Sequence, residues 1–160
     1  RPLLDGKTDA VIVLYGDHPF VRTSTIAKLQ SLHEEDGPVL SMLTTSVEDF
    51  EEWRQPFADF GRVLRDAAGH ITGIVEVKDA TVEQLAIREV NPSFFCFTGE
   101  WLWKNLKEIK NDNAKREYYL TDLVRIAIDQ GEKIASMDIK PLDCLGINTP
   151  EHLTLAQQFV

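Results

Sequence analysis

Residues 9–15 (DAVIVLY) form an unbroken apolar run rich in β-branched side chains, the pattern of a strand buried on both faces in a parallel sheet, and the run stops at Gly16-Asp17. The period then becomes helical. Ile26, Leu29 and His33 share one stripe, with Thr23 or Ser24 as the cap and Asp36-Gly37-Pro38 as the break. Residues 39–44 return to a strand pattern. Strand, helix and strand make a βαβ unit, whose crossover is right-handed and whose ligand site lies off the carboxyl ends of the strands. Asp17 stands at such an end.

Further along, 46–57 is acidic and reads as a short helix or a loop capped by Ser46. Residues 61–65 and 71–77 flank the turn-rich 66–70 (DAAGH) and predict a β-hairpin. Thr81 with Gln84 is a capping box opening a short helix through Ile87, and a strand over 93–97 follows Asn91-Pro92. Leu102, Leu106 and Ile109 make one helical stripe. Leu123, Val124, Ala127 and Ile128 make another, ending at Gly131, after a polar connection over 111–119. Two more strands are predicted over 133–139 and 142–147, and Thr149-Pro150-Glu151 opens a last helix. The expectation is an α/β fold with a mainly parallel, Rossmann-like sheet and a small β-hairpin insertion.

The 160 residues suffice for about one domain with a sizeable core. A net charge of -9, with the Lys and Arg residues scattered, argues against nucleic-acid backbone binding. The longest apolar run, 10–15, is too short to span a bilayer, so no membrane partner is expected. Cys96 and Cys144 lie far apart in apolar stretches and read as reduced core thiols of a cytoplasmic protein. The chain starts at Arg1, without Met, just ahead of a hydrophobic strand, which predicts a piece of a longer protein.

No phosphate-binding Gly-rich loop, nucleophile elbow or HExxH is present, and His18, His33, His70 and His152 lack metal-ligand spacing on one helix. What the pattern offers is polar residues set beside apolar strands: Asp17, Glu76, Asn91 and Asn148. Each has a plain structural reading as well. Asp17 can cap a turn, Glu76 and Lys78 can be the wet side of a strand, and Asn91-Pro92 and Asn148-Thr149-Pro150 are good turn formers. Tyr118 and Tyr119 can pack at a helix entrance capped by Thr121 or Asp122.

Tyr15-Gly16-Asp17, Phe60-Gly61-Arg62, Ile74-Val75-Glu76-Val77-Lys78-Asp79-Ala80 with Glu83-Gln84, Glu89-Val90-Asn91, Asn113-Ala114 with Glu117-Tyr118-Tyr119-Leu120-Thr121-Asp122, and Gly146-Ile147-Asn148 follow one another along the chain. In order and approximate spacing this series resembles the bacterial N-acetylglucosamine-1-phosphate uridylyltransferases. The resemblance covers nearly the whole chain, and the block ending in Tyr118-Tyr119-Leu120-Thr121-Asp122 is its most diagnostic part. It implies transfer of a uridylyl group from UTP to N-acetylglucosamine 1-phosphate, giving UDP-N-acetylglucosamine and pyrophosphate. Bringing two anions together calls for a hard divalent cation with oxygen ligands, Mg²⁺ in this family.

By the same resemblance Asp17 and Asn148 are the metal ligands, acting in catalysis through the metal. Tyr15 and Gly16 lie beside the nucleotide and metal. Gly61, Glu76 and Asn91 hold the sugar, and Tyr119 and Thr121 contact its phosphate. A carboxylate and an amide can discriminate sugars sharply, since a wrong sugar leaves buried polar groups unpaired. The resemblance is compatible with a homo-oligomer.

The chain departs from the family pattern in several places. Pro92-Ser93 stands where Thr-Gly is usual, which stiffens the sugar loop or alters its preference. Lys115-Arg116 replaces Gln-Gly, Phe60 replaces Tyr, and Ile147 replaces Val. The family's Gly-rich nucleotide loop and its left-handed β-helix acetyltransferase domain have no counterpart in these residues. The expectation is therefore that 1–160 is the later two-thirds of a sugar nucleotidyltransferase domain, inactive alone, with an exposed sheet edge and uncovered apolar surface near Asp9. Two other readings stay open. One is a binding module for a sugar phosphate or nucleotide sugar without catalysis, and the other is a nucleotidyltransferase for a different sugar 1-phosphate.

Overall fold

Ten residues, Glu89–Thr98, form the strand around which the sheet is organised, and both of its faces are covered. Phe94 and Cys96 point into one core with Leu29, Leu43, Phe57 and Leu145. Phe95 and Phe97 point into another with Leu40, Met42, Trp101 and Leu123. The two-residue period of a strand produces this division. The computed structural model describes residues 3–112 and 116–160, so Asn113, Ala114 and Lys115 of the sequence motifs lie outside the described residues.

In chain order the elements are β1 (Ala10–Val13), α1 (Thr23–Asp36), β2 (Leu40–Ser46), β3 (Gly61–Arg65), β4 (Ile71–Val75), α2 (Val82–Leu85), β5 (Glu89–Thr98), α3 (Gly99–Asn105), α4 (Asp122–Asp129), β6 (Ile134–Asp138) and α5 (Pro150–Ala156). Short 3₁₀ segments include Glu52–Asp59 and Pro141–Cys144. The sheet runs β4-β3-β5-β2-β6, and β1 also pairs with β5. Phe97 faces Leu40 on one edge and Val11 on the other, while Val90 faces Thr45 and Arg62. Hence β1 and β3 share one edge of β5, end to end, with β2 along the opposite edge.

The α/β class and the hairpin insertion stand, with β3 and β4 antiparallel around 66–70. The mainly parallel sheet does not: β2 and β6 pair in parallel, whereas β5 runs antiparallel to each of its three neighbours. A strand buried on both faces carries the same apolar run in either direction, so residue pattern gave no sign of the reversal. β1 is not buried on both faces. Val11 and Val13 pack inward while Ala10 and Ile12 remain open, the alternation of a strand covered on one face.

Residues 142–147 are not a strand. Pro141 opens a 3₁₀ turn, Leu145 N–H donates to the Leu142 carbonyl at 3.3 Å, and Cys144 and Leu145 are fully buried from this turn. A short apolar run fixes burial but not backbone shape. At α1 the N-cap is Arg22, with no side-chain cap bond, and Thr23 and Ser24 lie inside the helix. Ser46 ends β2 instead of capping a helix. The Thr81–Gln84 capping box is present, though its helix stops at Leu85, and Thr149 caps α5.

A bulge interrupts β5. Pairing with β2 jumps from Leu43↔Phe94 to Thr45↔Val90, leaving Asn91, Pro92 and Ser93 opposite Thr44. Pro92 has no N–H for the ladder, so a bulge is where a strand tolerates it. Ser93 takes φ +61° there.

Candidate active site

The bulge, the turn after β1, the first residue of β3 and the residue following β4 enclose a cleft of about 170 Å³. Tyr15 and Asp17 form one wall, Gly61 and Glu76 another, and Asn91 and Ser93 a third. A second hollow of about 180 Å³ shares Asp59 and Glu76 with the first and adds Lys78 and Tyr119. Glu76 therefore stands between the two. The Thr121 hydroxyl, free of capping duty, donates to Glu76 Oε1 at 3.1 Å and ties the start of α4 to β4.

Gly61 is required by this packing. A Cβ at its position would lie 2.9 Å from Ile74 Cγ2 and 3.3 Å from Glu76 Oε1. Asn91 is buried at 4% exposure, and its amide is oriented by the bulge. Ser93 N–H donates to Asn91 Oδ1 at 3.0 Å, and Asn91 Nδ2 donates to Ser93 Oγ at 3.2 Å.

Asp17 and Asn148 both lie beside Gly146. The position of a Cβ on Gly146 is 3.6 Å from Asp17 Oδ2 and 3.7 Å from Asn148 Nδ2. The backbone secures this approach, because Ile147 N–H donates to the Asp17 carbonyl at 2.8 Å. Asp17 Oδ1 is buried without a hydrogen-bond donor, and His18 Nδ1 lies 3.2 Å away, out of line for one. Burial lowers the His18 imidazole below its ordinary range, with the Asp17 carboxylate opposing the shift. The ring packs edge-on against Phe94 and Phe60.

The phenols of the cleft are held protonated. Burial raises Tyr15, helped by Glu76 and Asp17 and opposed by the Ser93 side chain. Burial also raises Tyr119, joined by the charges of Glu117, Asp79, Glu76 and Asp122, and its hydroxyl is buried without a partner. Tyr15, Asp17, Gly61, Glu76 and Asn91 thus line one cleft. Tyr119 and Thr121 adjoin it through Glu76, Asn148 joins at Asp17, and Gly16 lies in the turn with open space around it.

The cleft has further contributors that no motif marks: His18, the neighbour of Asp17, and Asp59, the neighbour of Phe60. Buried Asp143 accepts from Thr25 Oγ1 at 2.8 Å and lies 3.2 Å from Arg22 Nε, joining the start of α1 to the segment that carries Gly146 and Asn148. A lone carboxylate within the apolar Leu142-Asp143-Cys144-Leu145 was its signal.

Among the described residues no group of three or more His, Cys, Asp or Glu could hold a metal. No helix among them is long and apolar enough to cross a membrane.

The mixed sheet, with its cleft at the carboxyl end of β1, is an α/β fold. It superposes on 4-diphosphocytidyl-2C-methyl-D-erythritol synthase from Anaerococcus prevotii with a TM-score of 0.61 at 14% identity, over 99% of this chain and 61% of that one. In sequence the chain is a homologue of the bifunctional proteins GlmU: 38% identical to that of Brevibacillus brevis over 99% of its length and 35% identical to that of Geotalea daltonii over 98%. It spans about a third of the length of these relatives, 33% in both cases. No protein-family model matches the chain.

Proposed function

We propose that the chain forms the sugar-binding and metal-binding side of a uridylyltransferase site that makes UDP-N-acetylglucosamine and pyrophosphate from UTP and N-acetylglucosamine 1-phosphate. The observation that carries the reading is that Asp17 and Asn148 both lie beside Gly146, next to a cleft walled by Gly61, Glu76 and Asn91. Homology to GlmU proteins over nearly the whole chain supports the same assignment. In the reaction an oxygen of the sugar phosphate bonds to the α-phosphorus of UTP, and the bond from that phosphorus to the β-phosphate bridging oxygen breaks. Pyrophosphate leaves with the electron pair.

The donor set fits Mg²⁺. Asp17 has one buried carboxylate oxygen, Oδ1, without a hydrogen-bond donor, and its other oxygen, Oδ2, lies beside Gly146, as does the Asn148 amide. Two protein oxygens are enough for an ion that keeps waters and completes its shell with substrate phosphates. The ion, when bound, neutralises phosphate charge and polarises the α-phosphoryl group. Glu76 accepts hydrogen bonds from sugar hydroxyls, and Thr121 holds it in place. Lys78 and Tyr119 line the hollow beside Glu76, where Lys78 offers a positive charge to the sugar phosphate. That local cation matters in a chain of net charge -9.

The reading assigns the protein to the cytoplasm. It also assigns the triphosphate cradle to residues outside this chain, in the same domain, so turnover is measured on the full-length gene product. Pyrophosphate release from UTP, the sugar phosphate and Mg²⁺ is expected, and Asp17→Ala should lower kcat by at least a hundredfold. Intact, folded enzyme with no turnover, or turnover indifferent to Asp17→Ala, overturns the reading.

A further inference from the structure

We infer that Asp143 is a positioning residue: its carboxylate locks the segment that carries Asn148 to the first turn of α1, and so preorganises Asp17 and Asn148 for one divalent cation. This rests on the metal-site reading above and deepens it. Residues 140–148 belong to no strand, so sheet pairing does not set their path. Backbone hydrogen bonds pin the two ends. Ile139 N–H donates to the Thr44 carbonyl and Ile147 N–H to the Asp17 carbonyl, each at 2.8 Å. Between them Cys144 and Leu145 are buried in the core, and apolar burial sets depth without setting direction. Asp143 supplies the direction. Its Oδ2 accepts from Thr25 Oγ1 at 2.8 Å, and its Oδ1 lies 3.2 Å from Arg22 Nε.

The partners of Asp143 are placed to transmit position. Arg22, the N-cap of α1, follows shortly on Asp17 in the chain, and Gly146 and Asn148 follow shortly on Asp143. One carboxylate therefore bridges the two segments on which the proposed ligands are carried. Thr25 and Asp143 are both buried, so water does not compete for the tie. The start of α1 also lacks a side-chain cap bond and has no acidic residue in its first turn, which makes Asp143 the negative charge that meets the positive end of this 14-residue helix.

The test uses the full-length gene product saturated with UDP-N-acetylglucosamine and follows Mn²⁺, a spectroscopic stand-in for Mg²⁺, through the paramagnetic resonance of the free ion. Thr25→Val, which keeps the shape and removes the donor, and Asp143→Ala are each expected to weaken Mn²⁺ binding by about tenfold, the low end of what losing an orienting partner costs a metal site. The double variant should be no weaker than either single one, since both break the same tie. Asp143→Asn, whose amide oxygen still accepts from Thr25, should stay within about twofold of wild type. Leu102→Ala, in the other core, should lower the melting temperature without moving Mn²⁺ affinity, which separates positioning from a general loss of stability. If Asp143→Ala does not fold, Thr25→Val and Asp143→Asn decide the matter. Wild-type Mn²⁺ affinity in Thr25→Val, additive losses in the double variant, an Asp143→Asn protein as weak as Thr25→Val, or an equal loss in Leu102→Ala overturns the inference alone. Wild type that binds no Mn²⁺ overturns the metal-site reading and the inference with it.

Discussion

Gly61 and Glu76 show how closely single atoms set this cleft. Ile74 is β-branched and stiff at χ1, so a methyl group on Gly61, 2.9 Å from its Cγ2, cannot be relieved by rotating that side chain. The β3–β4 pair must give instead, and Glu76, whose Oε1 would be 3.3 Å away, is displaced with it. Gly61→Ala should therefore raise KM for the sugar phosphate about tenfold with a smaller change in kcat, at a stability cost of about 1–2 kcal/mol, read by steady-state kinetics and thermal melting. Away from the cleft, Arg65 makes two hydrogen bonds to Glu89, at 2.6 and 2.8 Å, from partly buried positions. Burial pushes Glu89 up, but the Arg65 hydrogen bonds and charge outweigh it and hold the carboxyl below its ordinary 4.5. A carboxyl depressed in the folded state contributes stability above its unfolded value and loses it as pH falls through the folded one. Urea midpoints should fall below about pH 4.5, and Arg65→Met should flatten that acid limb while lowering the midpoint at pH 7. A limb unchanged by the substitution would assign the acid loss to other carboxylates.

At the scale of elements, what could be seen in the sequence is what short-range chemistry decides. The β3–β4 hairpin, the Thr81–Gln84 box and the Thr149-Pro150 start of α5 are each written in a few adjacent residues, and each is in place. The direction of β5 and the shape of 142–147 depend on distant partners, and an apolar run reports only that it will be buried. The candidate site divides in the same way. Asp17, Glu76, Asn91 and Asn148 were conspicuous as polar residues beside strands, whereas the contributions of His18 and Asp143 exist only once the chain has folded around them. α5 connects this to function: Thr149 Oγ1 accepts from His152 N–H at 3.2 Å, and His152 Nδ1 accepts from Asn148 N–H at 3.3 Å. The first turn of the helix thus holds Asn148 at the end where Asp17 waits. Thr149→Ala should cost about 1 kcal/mol as a lost cap and also raise the Mg²⁺ concentration for half-maximal turnover, because Asn148 is released. Lower melting with an unaltered Mg²⁺ requirement would mean that the helix start does not position Asn148.

For the whole molecule the decisive competition is between an open sheet edge and a net charge of -9. Outside its pairing with β5, β1 pairs with no other strand among the described residues, and Ile12 and Leu14 flank that edge, each 36% exposed. Unpaired strand edges with apolar side chains are templates for association, while like charge keeps copies apart. The two effects respond differently to salt. Screening shortens the reach of the repulsion to about 3 Å at 1 M ionic strength and leaves hydrogen bonds and apolar contact intact. The chain should therefore sediment as a monomer in dilute buffer at low salt and shift toward faster species as salt or protein concentration rises. Ile12→Lys adds a charge to the edge and removes half of the apolar pair, so it should return the high-salt sample to monomer without lowering the melting temperature, since Ile12 is turned away from the core that Val11 and Val13 join. A chain that stays monomeric at high salt and high concentration would show that the β1 edge is too short or too twisted to recruit a partner strand.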